Sequence, residues 1–408
     1  MSLSPLSRRA VVGAALSGAV VAATAGPARA VPRAASRPAA VPSPGGGPAR
    51  RVPPAAAPVP PLQVPALRAA LADLEHPELI AAQLRVSGSA GRWYGTSGVA
   101  DRVTGRAVQE RDTFRIGSIT KVFVATVVLQ LAAERRLSPE TPVQRLLPGV
   151  LPARFPPITV SQLLNHTSGL PDEQAPPYDP SSPEAIARHR YDRWTPEQLV
   201  ARVSHGPMKF TPGTKQQYRG INYVLLALLI ERLTGRRYGE VIGRRLLRPL
   251  GLRHTRVPGD DPRVHGPHVH GYLRMTDGSL LDITEFHPSA SWGEGEMISH
   301  TGDLDRFLTA LFSGELLPPR ELARMFTLPP DEVRMVDGGP ARYAAGLQTV
   351  TVNGLTLWGK TGEQYGYCSA LFATRDQQRR IVLSFTPTRR DATQSQVSQR
   401  IAEAATKA

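Results

Sequence analysis

Apolar residues recur along this chain in two rhythms, and the rhythms separate its ends from its middle. LIAAQLRV (79–86) and RWYGTSGV (92–99) flank a Gly-Ser-Ala-Gly stretch, the pattern of a strand hairpin. Far downstream, GLQTVTV and LTLWGKT are joined by Asn353-Gly354, a dipeptide that favours the tight turn of a hairpin. YCSALFAT and RRIVLSF read as two more strands, and TQSQVSQRIAEAATKA as a closing helix. Between these ends the pattern is mostly helical. Clear segments are 119–135, 221–234 ending at Gly235, and 303–313 with Thr301 as its N-cap. Strands at both ends with helices between them predict an α+β fold. Its antiparallel sheet is formed by N- and C-terminal strands, flanked by helices, with an inserted, mostly helical subdomain.

The first 65 residues follow neither rhythm. Arg8-Arg9 precede the mildly apolar run VVGAALSGAVVAATAG and then Ala28-Arg29-Ala30. This is the order of a secretory signal peptide, over 1–30, with a small-residue cleavage site. Its paired arginines also fit the twin-arginine export route. The run is too weakly apolar for a permanent membrane span, so no stable span is expected after processing. Residues 31–65 hold 11 prolines and many alanines. Such a stretch cannot bury enough apolar surface to offset its ordering entropy and reads as a spacer. The folded domain is expected over 66–408, beginning near Leu67, in a protein destined for the extracytoplasmic space.

Charge changes the picture little. The net charge is +15, and residues 1–65 contribute seven arginines and no acidic residue, which leaves 42 basic against 34 acidic residues, or +8, for the remainder. Those charges are scattered and show no aromatic-interleaved basic stripe, so nucleic acid is not an expected partner. The single cysteine, Cys368, cannot form an internal disulfide and reads as a small buried hydrophobe.

Candidate chemistry begins at Ser118-Ile119-Thr120-Lys121. Three-residue spacing puts Ser118 and Lys121 on one face at the start of a helix that is apolar nearly all round. A serine needs a base to become a nucleophile. A lysine drawn into an apolar site is expected to have a lowered pKa and so to serve as that base. Alone, this spacing is common by chance. Tyr218 follows a hundred residues later, just before the 221–234 helix. Lys360-Thr361-Gly362 then follows a strand, where two small residues leave room for a substrate backbone along the strand edge. The backbone N–H groups of Ser118 and Glu363 are candidates for an oxyanion hole.

The order S-x-x-K, Tyr motif, K-T-G resembles the serine β-lactamase and penicillin-binding superfamily. More narrowly it resembles the branch of class C β-lactamases and D-alanyl-D-alanine carboxypeptidases. LLNHTSGLPD (163–172), F-T-P-G-T, INYVLLALLIERLTG, LRPLGL and GKTGEQYGYCSALFAT extend the resemblance over roughly 67–405. It implies a β-lactamase/transpeptidase-like fold and a two-step acyl transfer. Ser118 attacks a carbonyl, Lys121 and Tyr218 shuttle the proton, and Lys360 supports Tyr218 and attracts a substrate carboxylate. Thr361 and Gly362 line the substrate. The implied substrates are D-alanyl peptides, β-lactams or esters, and no cofactor is implied. The alternatives are an esterase or amidase on the same scaffold, and a non-hydrolysing protein that binds cell-wall fragments.

Two departures from the family pattern stand out. The second motif, usually Tyr-Ser-Asn, reads Tyr218-Arg219-Gly220, so the asparagine that typically bonds the substrate amide is missing. Arg219 either contacts an anionic substrate or points to solvent. Where carboxypeptidases of this type often carry an arginine, this chain has Gln348. Other polar clusters carry weaker expectations. His265, His268 and His270 read as an exposed loop rather than a metal site. His166 reads as a satisfied turn histidine, Glu294 as a weak substrate contact, and Glu294 with Glu296 as a possible acid/base pair.

Overall fold

The computed structural model describes residues 59–391 and 393–407. Six strands form one antiparallel sheet: β1 (Leu79–Ser87), β2 (Trp93–Gly98), β3 (Gln348–Val352), β4 (Leu355–Gln364), β5 (Tyr367–Thr374) and β6 (Arg380–Pro387). Their spatial order is β2-β1-β6-β5-β4-β3. The first strand of the chain therefore pairs with the last, with Ala82 opposite Phe385 and Leu84 opposite Leu383. This is the closure expected of strands contributed by both ends. The Asn353-Gly354 turn has positive φ at both residues, 49° and 78°, as a two-residue hairpin turn requires.

Every residue of β5 is buried, because both faces of the sheet are covered. On one face lie two helices, α1 (Val64–Ala72) and α5 (Gln394–Thr406). They pack Leu67, Leu71, Val397 and Ile401 against Leu84, Leu383 and Phe385. The other face carries the larger core. Here α2 (Thr120–Ala133) and α3 (Ile221–Thr234) pack together, and α4 (Thr301–Phe312) lies against β1 and β6. Every residue from Thr120 to Leu129 is buried, so α2 runs through the interior with no solvent face.

Helix boundaries depart from expectation in three places. α2 stops at Ala133, not at 135, and Arg135 takes a left-handed φ of 59° beyond it. Ile119, expected to open the helix, belongs instead to a 3₁₀ turn, Gly117–Ile119, that precedes α2. Thr301 is the first residue of α4 and not its cap: the His300 ring accepts a hydrogen bond from the Asp303 N–H at 3.2 Å. α3 ends as expected, with Gly235 at a φ of 66°.

The folded body begins earlier than Leu67. Val59 is buried and its N–H donates to Gln378 Oε1 at 3.3 Å, and the Arg379 guanidinium donates to the Pro60 carbonyl. The last residues of the Pro/Ala-rich stretch over 31–65 are therefore packed on the β5–β6 turn. The signal peptide expected over 1–30 lies outside the described residues. Among those described, no helix is long and apolar enough to cross a membrane.

Candidate functional site

Two glycines and a serine bring the turn before α2 against β4. A Cβ on Gly117, which has a φ of +52°, would lie 2.4 Å from the Glu363 nitrogen. A Cβ on Gly362 would lie 1.9 Å from the Ile116 carbonyl oxygen, to which the Ser369 hydroxyl donates at 3.0 Å. Only glycine at 117 and 362 permits this approach. Strand β3 pairs with β4 no further than Gly359, so among the described residues no strand covers the outer edge of Lys360–Gln364. The two-residue turn after Gln364 makes Gln364 and Tyr367 the hydrogen-bonded pair. Alternation then turns the N–H and C=O of Glu363 and Thr361 toward that open edge. Ser118 thus sits at the tip of a buried helix beside an unpaired strand edge, a suitable place for a substrate backbone.

The side chains converge on the Ser118 hydroxyl. Tyr218 donates to Ser118 Oγ at 2.7 Å, and Lys121 Nζ donates to it at 3.1 Å. Lys360 Nζ lies 4.6 Å from the centre of the Tyr218 ring and donates to the Thr361 carbonyl at 2.9 Å. Four of the expected residues, Ser118, Lys121, Tyr218 and Lys360, therefore meet in one place, with Thr361 and Gly362 beside them. Tyr218 is held from behind by the rings of His166 and Tyr343, with centroids at 4.5 and 5.2 Å.

The electrostatics differ from expectation at Lys121. Its amine is fully enclosed, and burial alone would lower its pKa. The Glu294 carboxylate, 2.6 Å away, and the Tyr218 hydroxyl oppose burial, and the net direction is upward. That direction favours the ammonium form of Lys121 beside Glu294, not the neutral amine expected of a lysine in an apolar site. Lys360 behaves in the opposite way. Burial and the neighbouring Lys121 charge hold its pKa well below the usual lysine range. Burial likewise raises the Tyr218 hydroxyl, partly countered by Lys121.

The departures from the family pattern have structural explanations. Arg219 neither enters the cleft nor points to solvent. It is 6% exposed, donates to the Leu170 and Pro171 carbonyls, and pairs with Asp172 at 3.0 Å and Glu173 at 2.9 Å. It fastens the 170–173 segment beside the site. Gly220 leaves a space that Glu294 fills: a Cβ there would lie 2.2 Å from Glu294 Oε2. Glu294 is thus a partner of Lys121, not merely a weak substrate contact. Glu296 does not join it as an acid/base pair. It is buried elsewhere, accepting from the Tyr238 hydroxyl and from the Gly293 N–H at 3.1 Å.

The remaining candidates sit apart from Ser118. His166 is buried, and its Nδ1 accepts from the Arg219 N–H at 3.2 Å, so it supports Tyr218 and the 219 turn. His265 pairs with Asp261 and His270 with Asp282, on separate partners. Gln348 begins β3 opposite Gly359, next to the open strand edge. The Cys368 thiol is buried and donates to Gln394 Oε1 at 3.1 Å, and burial pushes it well above its usual pKa.

Comparison with known proteins gives the same architecture. The family model described as Beta-lactamase matches residues 67–406. A D-stereospecific amidohydrolase from Streptomyces sp. superposes with a TM-score of 0.73 at 34% identity, over 84% of this chain and 98% of that one. A D-amino acid amidase from Ochrobactrum anthropi SV3 superposes with a TM-score of 0.68 at 25% identity, over 84% and 97%. Esterase EstB of Burkholderia gladioli is 32% identical over 206 residues, 47% of this chain and 52% of the esterase. The chain spans about half to two thirds of the length of the curated relatives it matches.

Proposed function

Because this chain belongs to the β-lactamase family, within the serine β-lactamase/transpeptidase superfamily, we propose that it is a serine hydrolase that forms an acyl-enzyme through Ser118. The observation that carries the reading is the Ser118 Oγ itself, with Tyr218 at 2.7 Å and Lys121 at 3.1 Å. Ser118 attacks a substrate carbonyl lying along the β4 edge. The N–H groups of Ser118 and Glu363 receive the developing oxyanion, where fixed dipoles act without reorganising. Tyr218 and Lys121 carry the serine proton to the leaving atom, and water then releases the acyl group.

The substrate class favoured is an amide or ester with no free carboxylate beside the scissile bond. Lys360 is the cation expected to hold such a carboxylate, and burial drives it toward the neutral form. Gln348 is uncharged, and Arg219 is committed to Asp172 and Glu173. Lys121 is paired with Glu294 at 2.6 Å, so its charge is compensated and it offers no free cation to a substrate carboxylate. An amidase or esterase fits these charges better than D-alanyl-D-alanine carboxypeptidase action, which we place second on the motif order. The intact bonds to Ser118 argue against a purely binding role. The Arg8-Arg9 segment and the apolar run after it support export.

The test uses purified protein with a fluorophosphonate probe, nitrophenyl esters, D-amino acid amides, D-alanyl-D-alanine peptides and a fluorescent penicillin. Labelling and ester or amide hydrolysis, both abolished by Ser118→Ala, are expected. Release of terminal D-alanine at a higher kcat/KM than any ester or amide would move carboxypeptidase action to first place. Failure of every reagent to label Ser118 refutes the hydrolase reading.

A further inference from the structure

We propose that Glu294 takes up the proton of Lys121 during acylation, from the space that the missing side chain of Gly220 leaves beside the Ser118 hydroxyl. The inference rests on the serine-hydrolase reading above. It begins with a steric observation. Any side chain at 220 would start within 2.2 Å of Glu294 Oε2 and within 2.5 Å of Oε1 and Cδ. The bare backbone at 220 is therefore the condition for the carboxylate to sit where it does. Once there, Glu294 meets Lys121 twice: Nζ donates to Oε2 at 2.6 Å and to the Glu294 main-chain oxygen at 2.8 Å. The third acceptor of Lys121 is Ser118 Oγ at 3.1 Å.

The loop that delivers Glu294 is built for this contact. Gly293, at a φ of +72°, lies so close to α3 that a Cβ would be 2.6 Å from the Ala227 Cβ. At the other end of the loop, the Gln364 side-chain amide donates to the Ser291 hydroxyl and the Gly295 carbonyl, each at 2.8 Å. The carboxylate is thus tied to α3 on one side and to the end of β4 on the other.

The chemistry follows from the resting charges. An ammonium cannot accept the serine proton, and the Lys121 pKa is raised. Among its hydrogen-bond acceptors, the Glu294 carboxylate is the one able to take a proton from it. Glu294 Oε2 accepts a proton from Lys121, and the freed amine takes the Ser118 hydroxyl proton as the Oγ–carbon bond forms. The carbonyl electron pair moves onto oxygen. On collapse the pair returns and the bond to the leaving nitrogen or oxygen breaks. That atom departs with a proton passed from Lys121 through Tyr218. Glu294 then returns its proton to Lys121. Water repeats the sequence in place of the serine.

Two variants separate this role from packing. Glu294→Gln keeps the shape and removes the proton acceptor. Gly220→Ala leaves Lys121 and Glu294 chemically intact but displaces the carboxylate. Both are expected to lower the acylation rate about 100-fold near pH 6, in the range of a lost acid–base step. Both defects are expected to shrink toward tenfold or less by about pH 9. Lys121 faces Glu294, Tyr218, Tyr223, His166 and Lys360; with the carboxylate gone, burial lowers its pKa, and the amine then loses its proton to solvent as pH rises. The Glu294→Ala/Gly220→Ala double variant is expected to be no worse than Glu294→Ala alone, since both changes break one contact. Burst amplitude with a nitrophenyl ester and thermal midpoints confirm folded, Ser118-competent protein. If wild-type protein acylates Ser118 while Glu294→Gln and Gly220→Ala acylate within threefold of it at every pH, or with defects that ignore pH, this proposal fails and the hydrolase reading stands. If wild-type protein never acylates, both fall.

Discussion

Replacing Gly117 with alanine tests whether the closeness of α2 to β4 is what makes Ser118 reactive. The Cβ introduced would lie 2.4 Å from the Glu363 nitrogen and 2.6 Å from its carbonyl oxygen, whereas ordinary contact begins near 3.4 Å. The difference, 3.4 minus 2.4, requires the serine turn and the strand edge to separate by about 1 Å. Both atoms met are backbone, so no side chain can swing aside to relieve the clash. The φ of +52° adds roughly 1–2 kcal/mol of conformational strain for a residue with a Cβ. That is a minor part of the roughly 5–15 kcal/mol by which folded domains are stable, so the variant folds. Its catalytic cost is larger than its stability cost. The two proposed oxyanion donors, the N–H groups of Ser118 and Glu363, lie on opposite sides of the gap that opens. A misplacement of about 1 Å in a reacting geometry costs about 100-fold in rate, or close to 2.7 kcal/mol. Steady-state kcat/KM on a nitrophenyl ester and the thermal midpoint, measured together, check this. The expected result is a fall of about two orders of magnitude in kcat/KM with a midpoint lowered by only a few degrees. A variant with kcat/KM within threefold of wild type would refute the argument that this contact assembles the oxyanion site.

Two further outcomes are expected. Tyr218→Phe removes the donor 2.7 Å from Ser118 Oγ and should lower kcat by about 10²–10⁴-fold with little change in KM, as read by steady-state kinetics; equal losses in kcat and in folding stability would contradict a chemical role. Glu296 is buried so deeply that its pKa rises from 4.5 to about 7, despite the hydrogen bonds from Tyr238 and the Gly293 N–H. The folded state therefore favours the neutral acid, so its contribution is complete below about pH 4.5, declines as pH rises and is lost above about pH 7, a change on the order of 3 kcal/mol. Glu296→Gln should flatten this part of the stability profile, gaining on wild type above pH 7, and urea titrations across that window check it; an unchanged slope would locate the dependence elsewhere.

Much of the fold was legible because its signals are local or periodic. The run of buried residues in α2, the Asn353-Gly354 turn and the Gly235 stop each follow from a few neighbouring residues. The strands at the two ends of the chain predicted a shared sheet, and the pairing of β1 with β6 bears this out. Boundaries set by tertiary contact were less legible. Residues 59–65 are as rich in proline as those before them, yet Val59 and Pro60 are held by Gln378 and Arg379, more than 300 residues away. The cap of α4 is hidden for a similar reason. Thr301 has the favoured side chain, but the chain enters the helix one residue earlier, at an extended His300 whose ring does the capping.

The site divides along the same line. Ser118, Lys121, Tyr218 and Lys360 could be found because each sits in a short motif and all converge on one hydroxyl. What could not be read was the charge state they share. A lysine in an apolar helix should lose its proton, and that argument is sound for Lys121 until a carboxylate 173 residues away is placed 2.6 Å from it. The signal was present in two halves. Gly220 is conspicuous as a missing side chain, and Glu294 as an acid in a glycine-spaced loop, but their connection is a shared volume rather than a spacing. A deletion at one position and an acid at another become one feature only when the Cβ direction of the first points at the carboxylate of the second. The same volume argument disposes of Arg219. Its neighbour Gly220 directs its missing Cβ at Glu294, whereas Arg219 turns its guanidinium toward Asp172 and Glu173, so the arginine stiffens the wall of the site and neither contacts a substrate nor points to solvent.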